Sequence, residues 1–227
     1  GPGGDEERFD AARSVIAPYL WNKKINKLDA VIITHFHEDH LGGILYLLDN
    51  FKVMSVMDNG AICENSEIFD KYSSAVKNKK ISRETIGDGD VINFKGGTIF
   101  VLNPEKGNGL TDRNENSIVL KVHCKNFSAL LCGDASNFSL ERMTAKYGNF
   151  LRADIIKIPH HGGNAGSDII VKDFLNASDA NAAIISVAKM NKYRAPSEKT
   201  LAILSALSAI IYETGDNGAI TVSTDEG

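Results

Sequence analysis

The sequence predicts a mixed α/β fold in which helices cover β-sheet. The chain has 227 residues, 43% of them are hydrophobic, and short β-branched segments alternate with segments of helical spacing. Some predicted strands follow one another without an intervening helix, which indicates antiparallel meanders beside the parallel part of a sheet. We therefore expect residues 1–227 to form a single domain with a sizeable core.

The predicted elements alternate along the chain. A helical pattern runs from Glu7 to Lys24, and Pro18 should break or kink it. The continuous β-branched run Ala30–Thr34 is typical of a strand buried on both faces. The other predicted helices are Gly42–Leu48, Asn65–Lys79, Phe138–Lys146, Ile169–Leu175 and Ser197–Ser208. The other predicted strands are Val53–Met57, Ile81–Thr85, Val91–Phe94, Thr98–Leu102, Ser117–Val122, Ala129–Leu131, Ile155–Ile158, Ala182–Val187, Ile210–Tyr212 and Ala219–Val222, and the Gly/Asn-rich stretch Asn103–Asn116 is predicted to be one surface loop.

The net charge and the cysteine content of the chain limit the classes of function that it can have. Twenty-five basic residues against 29 acidic ones give a net charge of -4, which argues against a broad basic surface for gripping nucleic acid. The three cysteines form no CxxC pair, so we expect a reduced compartment, with Cys132 as a small core residue. No apolar run approaches the roughly 18–20 residues of a membrane helix, and no signal peptide is evident, so we expect a soluble chain without membrane contact of its own.

Five of the six histidines lie in two short stretches. In the first stretch, His35, His37, Asp39 and His40 follow a predicted buried strand and precede a helix. If the loop stays extended, His35 and His37 can converge on one cation, while Asp39 and His40 turn toward a second position. Neutral imidazoles with a carboxylate suit Zn²⁺ or Mn²⁺. The two glycines at 42 and 43 allow close backbone packing where the helix begins.

The second stretch lies after another predicted strand and contains His160 and His161. Adjacent histidines at a strand end point to different sides, so one of them should bind metal while the other contacts substrate or an outer partner. Asp134 ends a third strand, where it is either a helix N-cap or a carboxylate that bridges two ions. The sixth histidine, His123, lies in a strand without acidic neighbours and is predicted to be an ordinary strand residue.

Two further segments could contact an anionic substrate. The loop with Lys189, Asn191, Lys192 and Arg194 follows a buried strand and is either an anion-binding loop or a solvated basic loop. Asn116 and Ser117 precede another strand, and they either donate hydrogen bonds to a phosphate or cap a turn. Ser197 follows Pro196 and is predicted to cap the next helix.

These motifs resemble the metallo-β-lactamase superfamily, with the HxHxDH signature at His35–His40, the GD element at Gly133-Asp134 and the HHG element at His160–Gly162. More narrowly, the chain resembles the hydrolase domain of the ComEC family of bacterial DNA-uptake proteins, from about Phe9 to Val222. The supporting stretches include Asn116–Leu120, Lys157–Gly162, Ile185–Val187 and Thr214–Ile220.

The resemblance implies an αβ/βα four-layer sandwich and a binuclear site for two divalent metal ions, Zn or Mn. The implied metal ligands are His35, His37, Asp39, His40, Asp134, His160 and His161. The implied activity is hydrolysis of a phosphodiester, namely DNA during uptake, by a metal-bound hydroxide. Asp39 would orient the attacking water and His160 would complete the catalytic group. The implied parent protein is a membrane channel that carries this domain.

The chain departs from the family pattern in three places. The opening Gly1–Gly4 resembles the loop after the family's first strand pair, so we expect that pair to be missing here. Many relatives have His-Pro-Ser where this chain has Ala195-Pro196-Ser197, and no histidine lies near Asn116. Two alternatives remain open on sequence alone: the same site acts on a small phosphodiester, a phosphorylcholine ester, a lactam or a thioester, or the domain is a weakly metallated binding or structural module.

Overall fold

The structure is a computed structural model that describes residues 10–107 and 112–224, and its chain divides into two compact units, Gly1–Ile86 and Gly87–Gly227. The start of the helical pattern predicted from Glu7 lies outside the described residues, as does the middle of the predicted loop between Asn103 and Asn116.

The first unit is a three-stranded parallel sheet with helices packed on it. The strands β1 (Lys27–Ile32), β2 (Lys52–Asp58) and β3 (Ser82–Thr85) lie in the order β1-β2-β3. The helices of this unit are a π-helical turn (Ala12–Ile16), α1 (Ala17–Asn22), α2 (Glu38–Leu41), α3 (Ile44–Asn50) and α4 (Glu67–Asn78). The side chain of Ser66 caps α4 by accepting a hydrogen bond from Phe69 N, as expected of a serine at this position.

Two predictions for the first unit can be compared with the structure. The change from π-helical to α-helical hydrogen bonding falls just before Pro18, which has no N–H to donate. The strand predicted at Ala30–Thr34 starts earlier and ends at Ile32, and it is not buried on both faces. Ala30 is exposed, because β1 is an edge strand that packs on the core only through residues such as Leu28 and Val31.

The second unit is built on a seven-stranded mixed sheet in the order β10-β9-β8-β7-β6-β5-β4. The strands are β4 (Val91–Phe94), β5 (Gly97–Asn103), β6 (Val119–Cys124), β7 (Phe127–Leu131), β8 (Ile155–Lys157), β9 (Ala182–Ile185) and β10 (Ile210–Glu213). The helices are α5 (Asn137–Tyr147), α6 (Asp168–Ser178), α7 (Glu198–Ala206) and α8 (Thr214–Asn217), with single 3₁₀ turns at Gly148–Leu151 and Pro159–Gly162. The antiparallel meander β4–β7 and the parallel strands β7–β10 confirm the predicted mixed class.

The topology of this sheet positions the loops of interest. Strands β7, β8, β9 and β10 are parallel neighbours, so their carboxyl ends lie along one sheet edge, where α/β folds bind ligands. Because β6 runs antiparallel to β7, the start of β6 lies at this same edge, with Leu120 opposite Leu131. The segments after β7, after β8 and before β6 therefore meet.

A buried carboxylate ties the first loop of this unit to α5. Asp88 accepts hydrogen bonds from Arg142, Lys146 and Tyr147, and only 3% of its side chain is exposed. Burial alone raises the pKa of Asp88, but the hydrogen bonds from Lys146, Tyr147 and Arg142 outweigh it and lower the pKa below its ordinary value. The carboxylate is therefore the form that the fold stabilises.

The end of the chain was predicted wrongly. No strand forms over Ala219–Val222, and the short helix α8 precedes this segment instead. Ser197 is the N-cap of α7, as predicted, with its hydroxyl 3.1 Å from Thr200 N. In the part of the chain that the structure describes, we find no helix with the length and apolar character needed to cross a membrane.

Candidate metal-binding loops

The first histidine-rich loop leaves β1 and runs into the short helix α2. Its first residue, Ile33, is still held by the sheet, because its N–H donates to Met57 O at 2.9 Å. The backbone is extended at His37, the residue before α2, and turns at Glu38. A Cβ at Gly43 would lie 2.8 Å from Cβ of Ala12, so the close packing predicted for this glycine is confirmed.

Three imidazoles and one carboxylate converge in this loop. Nε2 of His35 lies 3.0 Å from Nδ1 of His37, and the hydroxyl of Thr34 lies 3.2 Å from Nδ1 of both His35 and His40. Nε2 of His40 is 3.7 Å from Oδ2 of Asp39. The structure thus brings together the four residues that the sequence singled out in this loop and adds Thr34 to them.

The donor set of this loop fits divalent metal ions. Two nitrogens on one tetrahedral Zn²⁺ ion are about 3.3 Å apart, close to the 3.0 Å between His35 and His37. Thr34 lies on the Nδ1 side of His40, and Nε2 of that ring faces the carboxylate of Asp39. Imidazole nitrogens with one carboxylate oxygen are ligands that suit Zn²⁺ or Mn²⁺.

A buried cluster supports the loop from the core of the first unit. The ring of Phe36 is 1% exposed, and its centroid lies 4.8 Å from that of Phe69 and 6.0 Å from that of Tyr72. The fully buried carboxylate of Asp58 accepts hydrogen bonds from Tyr72 (2.7 Å) and from Arg83 (2.7 and 3.1 Å). Burial and the Asp58 carboxylate raise the pKa of Tyr72, so its phenol keeps its proton.

This cluster was not predicted from the sequence, although an aspartate at the end of an apolar strand is a usable signal. Because Phe36 lies between the first two histidines of the loop, its packing fixes the backbone that carries both rings. The cluster therefore affects the candidate ligands by fixing the position of the loop backbone that carries them.

In the second unit, Asp134 lies just beyond β7. It follows Gly133, whose φ of +53° is a left-handed conformation that glycine adopts without strain. Asp134 is 3% exposed, and its N–H donates to the hydroxyl of the fully buried Ser117 at 3.1 Å. The N-cap of α5 is Ser136, which excludes the alternative role of Asp134 as a helix cap. Ser117 contacts the backbone of Asp134, a positioning interaction that was not predicted.

His160 and His161 lie in a tight turn after β8, with left-handed φ values of 49° and 56°. Nδ1 of His160 lies 3.1 Å from Asn164 O, and Nδ1 of His161 lies 2.7 Å from Ser186 O. Because a carbonyl oxygen only accepts hydrogen bonds, both Nδ1 atoms carry a proton, which leaves Nε2 as the nitrogen of each ring that can bind a metal ion. Metal-ligating histidines are held by the protein in this way.

The contact with Asp134 is made by His161, whose Nε2 lies 3.5 Å from Oδ2 of the carboxylate. On the other side, Nζ of Lys157 lies 3.8 Å from Oδ1 of Asp134 and donates to Gly133 O at 3.1 Å. This role of Lys157 was not predicted, although Lys157 is the last residue of β8 and directly precedes the segment with the histidine pair. Asp134 therefore has an imidazole on one oxygen and an ammonium on the other.

A chain of buried and partly buried hydrogen bonds behind Ser117 was also not predicted. Nδ2 of Asn103 donates to the carbonyl oxygens of Glu115 (2.8 Å) and Ser117 (2.7 Å), and its Oδ1 accepts a hydrogen bond from Arg142 (2.9 Å). The carboxylate of Glu115 in turn accepts the N–H of Ser139 in the first turn of α5 (2.8 Å). These contacts join the end of β5, the start of β6 and α5.

The predicted substrate-binding loop lies between β9 and α7. Its Asn191 fixes the loop itself: Nδ2 donates to Ala188 O (3.1 Å) and Ala195 O (2.7 Å), while Oδ1 accepts the N–H of Ala195 (3.0 Å). The side chains of Lys189 and Arg194 are exposed. The structure therefore separates an amide that shapes the loop from two exposed cations, of which Lys189 forms an ion pair with Asp216 at 3.1 Å.

Three other residues have contacts or burial that indicate a structural role. Asn116 is 7% exposed and donates to Asp112 O at 3.1 Å, which is the turn-capping interaction that the sequence left open. His123 is exposed on β6, as predicted for an ordinary strand histidine. Cys132 is fully buried, and burial raises the pKa of its thiol to about 12, which confirms it as a core residue.

The fold and these loops agree with comparisons to known proteins. The family model of the metallo-β-lactamase superfamily matches residues 1–187, and the chain belongs to this superfamily. The crystal structure of the metallo-β-lactamase fold protein YhfI from Bacillus subtilis matches with a TM-score of 0.59 over 93% of this chain and 82% of that one, at 11% identity. Membership supports a metal-dependent hydrolase.

Two curated relatives are named for competence. The ComE operon protein 3 of Bacillus subtilis is 30% identical over 93% of this chain, and the competence protein ComA of Neisseria gonorrhoeae is 27% identical over 96% of it. The chain spans about a quarter of the length of these relatives, 26% and 28% respectively. These names confirm the resemblance to competence proteins.

Proposed function

We propose that residues 1–227 act as one hydrolase domain that cleaves phosphodiester bonds of DNA during uptake, within a larger membrane-anchored protein. The observation that carries this proposal is the arrangement of ligand atoms: imidazole nitrogens at 3.0 Å in one loop and, after β8, two imidazoles whose Nδ1 atoms are held by main-chain carbonyls. The two competence proteins among the relatives support DNA as the substrate.

We assign the proposed ligands on the family resemblance and on the donor chemistry of each loop. His35, His37 and one histidine of the HHG turn would hold one ion, and Asp39 and His40 would hold the other, with Asp134 shared between them. Within the second unit, the contact between His161 and Asp134 favours His161 as the ligand. His160 then is the histidine proposed to contact the substrate phosphate.

Zn²⁺ or Mn²⁺ bound there would supply Lewis acidity toward phosphate oxygens and lower the pKa of a water molecule. The carboxylate of Asp39, 31% exposed, can accept a hydrogen bond from that water and hold its proton at Oδ2. The exposed cations Lys189 and Arg194 would attract the phosphates on either side of the cleaved bond. An overall charge of -4 does not oppose this, because the attraction is local.

The test is cleavage of single-stranded and double-stranded DNA by the purified chain with Mn²⁺ or Zn²⁺. His37→Ala removes one proposed ligand, so metal content and cleavage should both fall to the background level. His123→Ala is the matched control, since it removes an exposed strand histidine that is not a proposed ligand. Turnover of His37→Ala equal to that of the unmodified chain would contradict the proposal. Cleavage of a small diester without cleavage of DNA would favour a small-molecule substrate.

A further inference from the structure

The loop between β9 and α7, residues 188–195, has both of its ends attached to the HHG turn. Before the loop, Ser186 O accepts the hydrogen bond from Nδ1 of His161 at 2.7 Å. After the loop, the N–H of Ser197 donates to Gly162 O at 2.8 Å, and a Cβ at Gly162 would lie 2.8 Å from Cβ of Pro196. The chain thus leaves the candidate ligand turn, forms the loop and returns to the same turn.

The loop is held in one shape by its own side chains. The three hydrogen bonds of Asn191 to Ala188 and Ala195 close the loop across its base. A further hydrogen bond joins the N–H of Arg194 to Asn191 O at 3.2 Å. A fixed loop loses little conformational entropy when a ligand binds, so its exposed side chains are positioned in advance.

The outer surface of the loop combines an aromatic ring with cations. Tyr193 is 71% exposed, and Nζ of Lys192 lies 5.0 Å from the centroid of its ring. Met190 of the same loop is 94% exposed, and Arg194 is exposed as well. Single exposed apolar residues are common, but here an accessible ring and cations occupy a fixed loop beside candidate metal ligands. Aromatic rings with neighbouring cations are the surfaces on which the bases of single strands stack.

We infer that Tyr193 is a stacking platform for a base of a single-stranded nucleic acid, with Lys192 and Arg194 beside the adjacent phosphates. This inference rests on the proposed function and adds the substrate class to it. In a duplex both faces of each base are covered by neighbouring bases, so an exposed ring on the loop favours single strands or frayed ends. Tyr193 would thereby determine whether single-stranded or double-stranded nucleic acid reaches the HHG turn.

The test measures binding of a fluorescent oligothymidylate and of an abasic strand of equal length by anisotropy. EDTA is present so that no cleavage occurs. The unmodified chain should prefer the strand with bases by about 5- to 150-fold, the range expected for one stacked base. Tyr193→Ala should bind both strands alike, and Tyr193→Phe should retain the preference. Tyr19→Ala is the matched control, because Tyr19 is 49% exposed and has Lys23 at 5.8 Å from its ring.

Unchanged preference in Tyr193→Ala would overturn the inference, whether or not the chain cleaves DNA. With Mn²⁺ added, Tyr193→Ala should raise KM for the oligothymidylate far more than it lowers kcat. An equal KM for both proteins would likewise overturn it. Absence of any phosphodiester cleavage by the unmodified chain would refute the proposed function, while the anisotropy experiment would still decide the role of Tyr193.

Discussion

Replacing Ser117 by alanine should weaken metal binding through Asp134. The Ser117 hydroxyl accepts the Asp134 N–H at 3.1 Å, and the two residues are 0% and 3% exposed. Without the hydroxyl, that N–H loses this acceptor, and a buried donor that is left unsatisfied costs about 1–3 kcal/mol. In a protein of this size each kcal/mol lowers Tm by about 2–4 °C, so Tm should fall by about 2–12 °C.

The effect on metal binding should be similar in size to the effect on stability. Groups that orient a metal ligand from outside are worth about 10- to 100-fold in metal affinity. We expect a loss of this size for Mn²⁺ or Zn²⁺ in isothermal titration calorimetry of Ser117→Ala. Ser178→Ala is the matched control, since Ser178 is 1% exposed and its hydroxyl donates to Leu175 O at 2.7 Å in α6. That variant should lose stability but keep its metal affinity, and an unchanged affinity of Ser117→Ala would refute the reasoning.

Three further changes test other parts of the structure. Arg83→Ala should lower the free energy of unfolding in urea by about 3 kcal/mol, because the Asp58 carboxylate stays buried after its ionic partner is lost; a change below about 1 kcal/mol would show that the pair contributes as little as an exposed one. The lowered pKa of Asp88 means that its stabilising contribution is present above the ordinary carboxyl pKa and is lost as pH falls through the lower folded value. Asp88→Asn should therefore flatten the expected fall of stability below about pH 4, measured by urea unfolding at a series of pH values, and an unchanged slope would count against this prediction. Ellman's reagent at neutral pH should label Cys124 well before Cys132, whose burial raises its pKa to about 12, and Cys124→Ser should remove that fast reaction.

The sequence was most informative where the relevant residues are neighbours in the chain. The convergence of His35, His37 and His40 follows from a strand that ends and a helix that begins within a few residues, and both are visible as local patterns. The same holds for most strands and helices, whose interiors were predicted correctly. The strand predicted at Ala219–Val222 was wrong because a short β-branched segment alone does not provide a neighbouring strand to pair with.

The positioning residues could not be found in this way, because their partners lie far away in the chain. Asn103 meets Ser117 and Arg142 across 14 and 39 residues, and the Ser117 hydroxyl meets Asp134 across 17. Only the antiparallel pairing of β6 with β7 brings the segment before β6 to the end of β7. From the sequence alone, an asparagine or serine beside a strand is interpreted as a turn residue, because the strand pairing is not known.

The hydrogen bonds from His160 and His161 to main-chain carbonyls have an evolutionary consequence. In many proteins the group that orients a histidine is a side chain, and a single codon change can remove it. Here the acceptors are the backbone oxygens of Asn164 and Ser186, which every amino acid possesses. Residues 164 and 186 can therefore change in evolution while the orientation of both imidazole rings is kept. The loop between β9 and α7 can likewise change its side chains toward new substrates without loss of the ligand geometry.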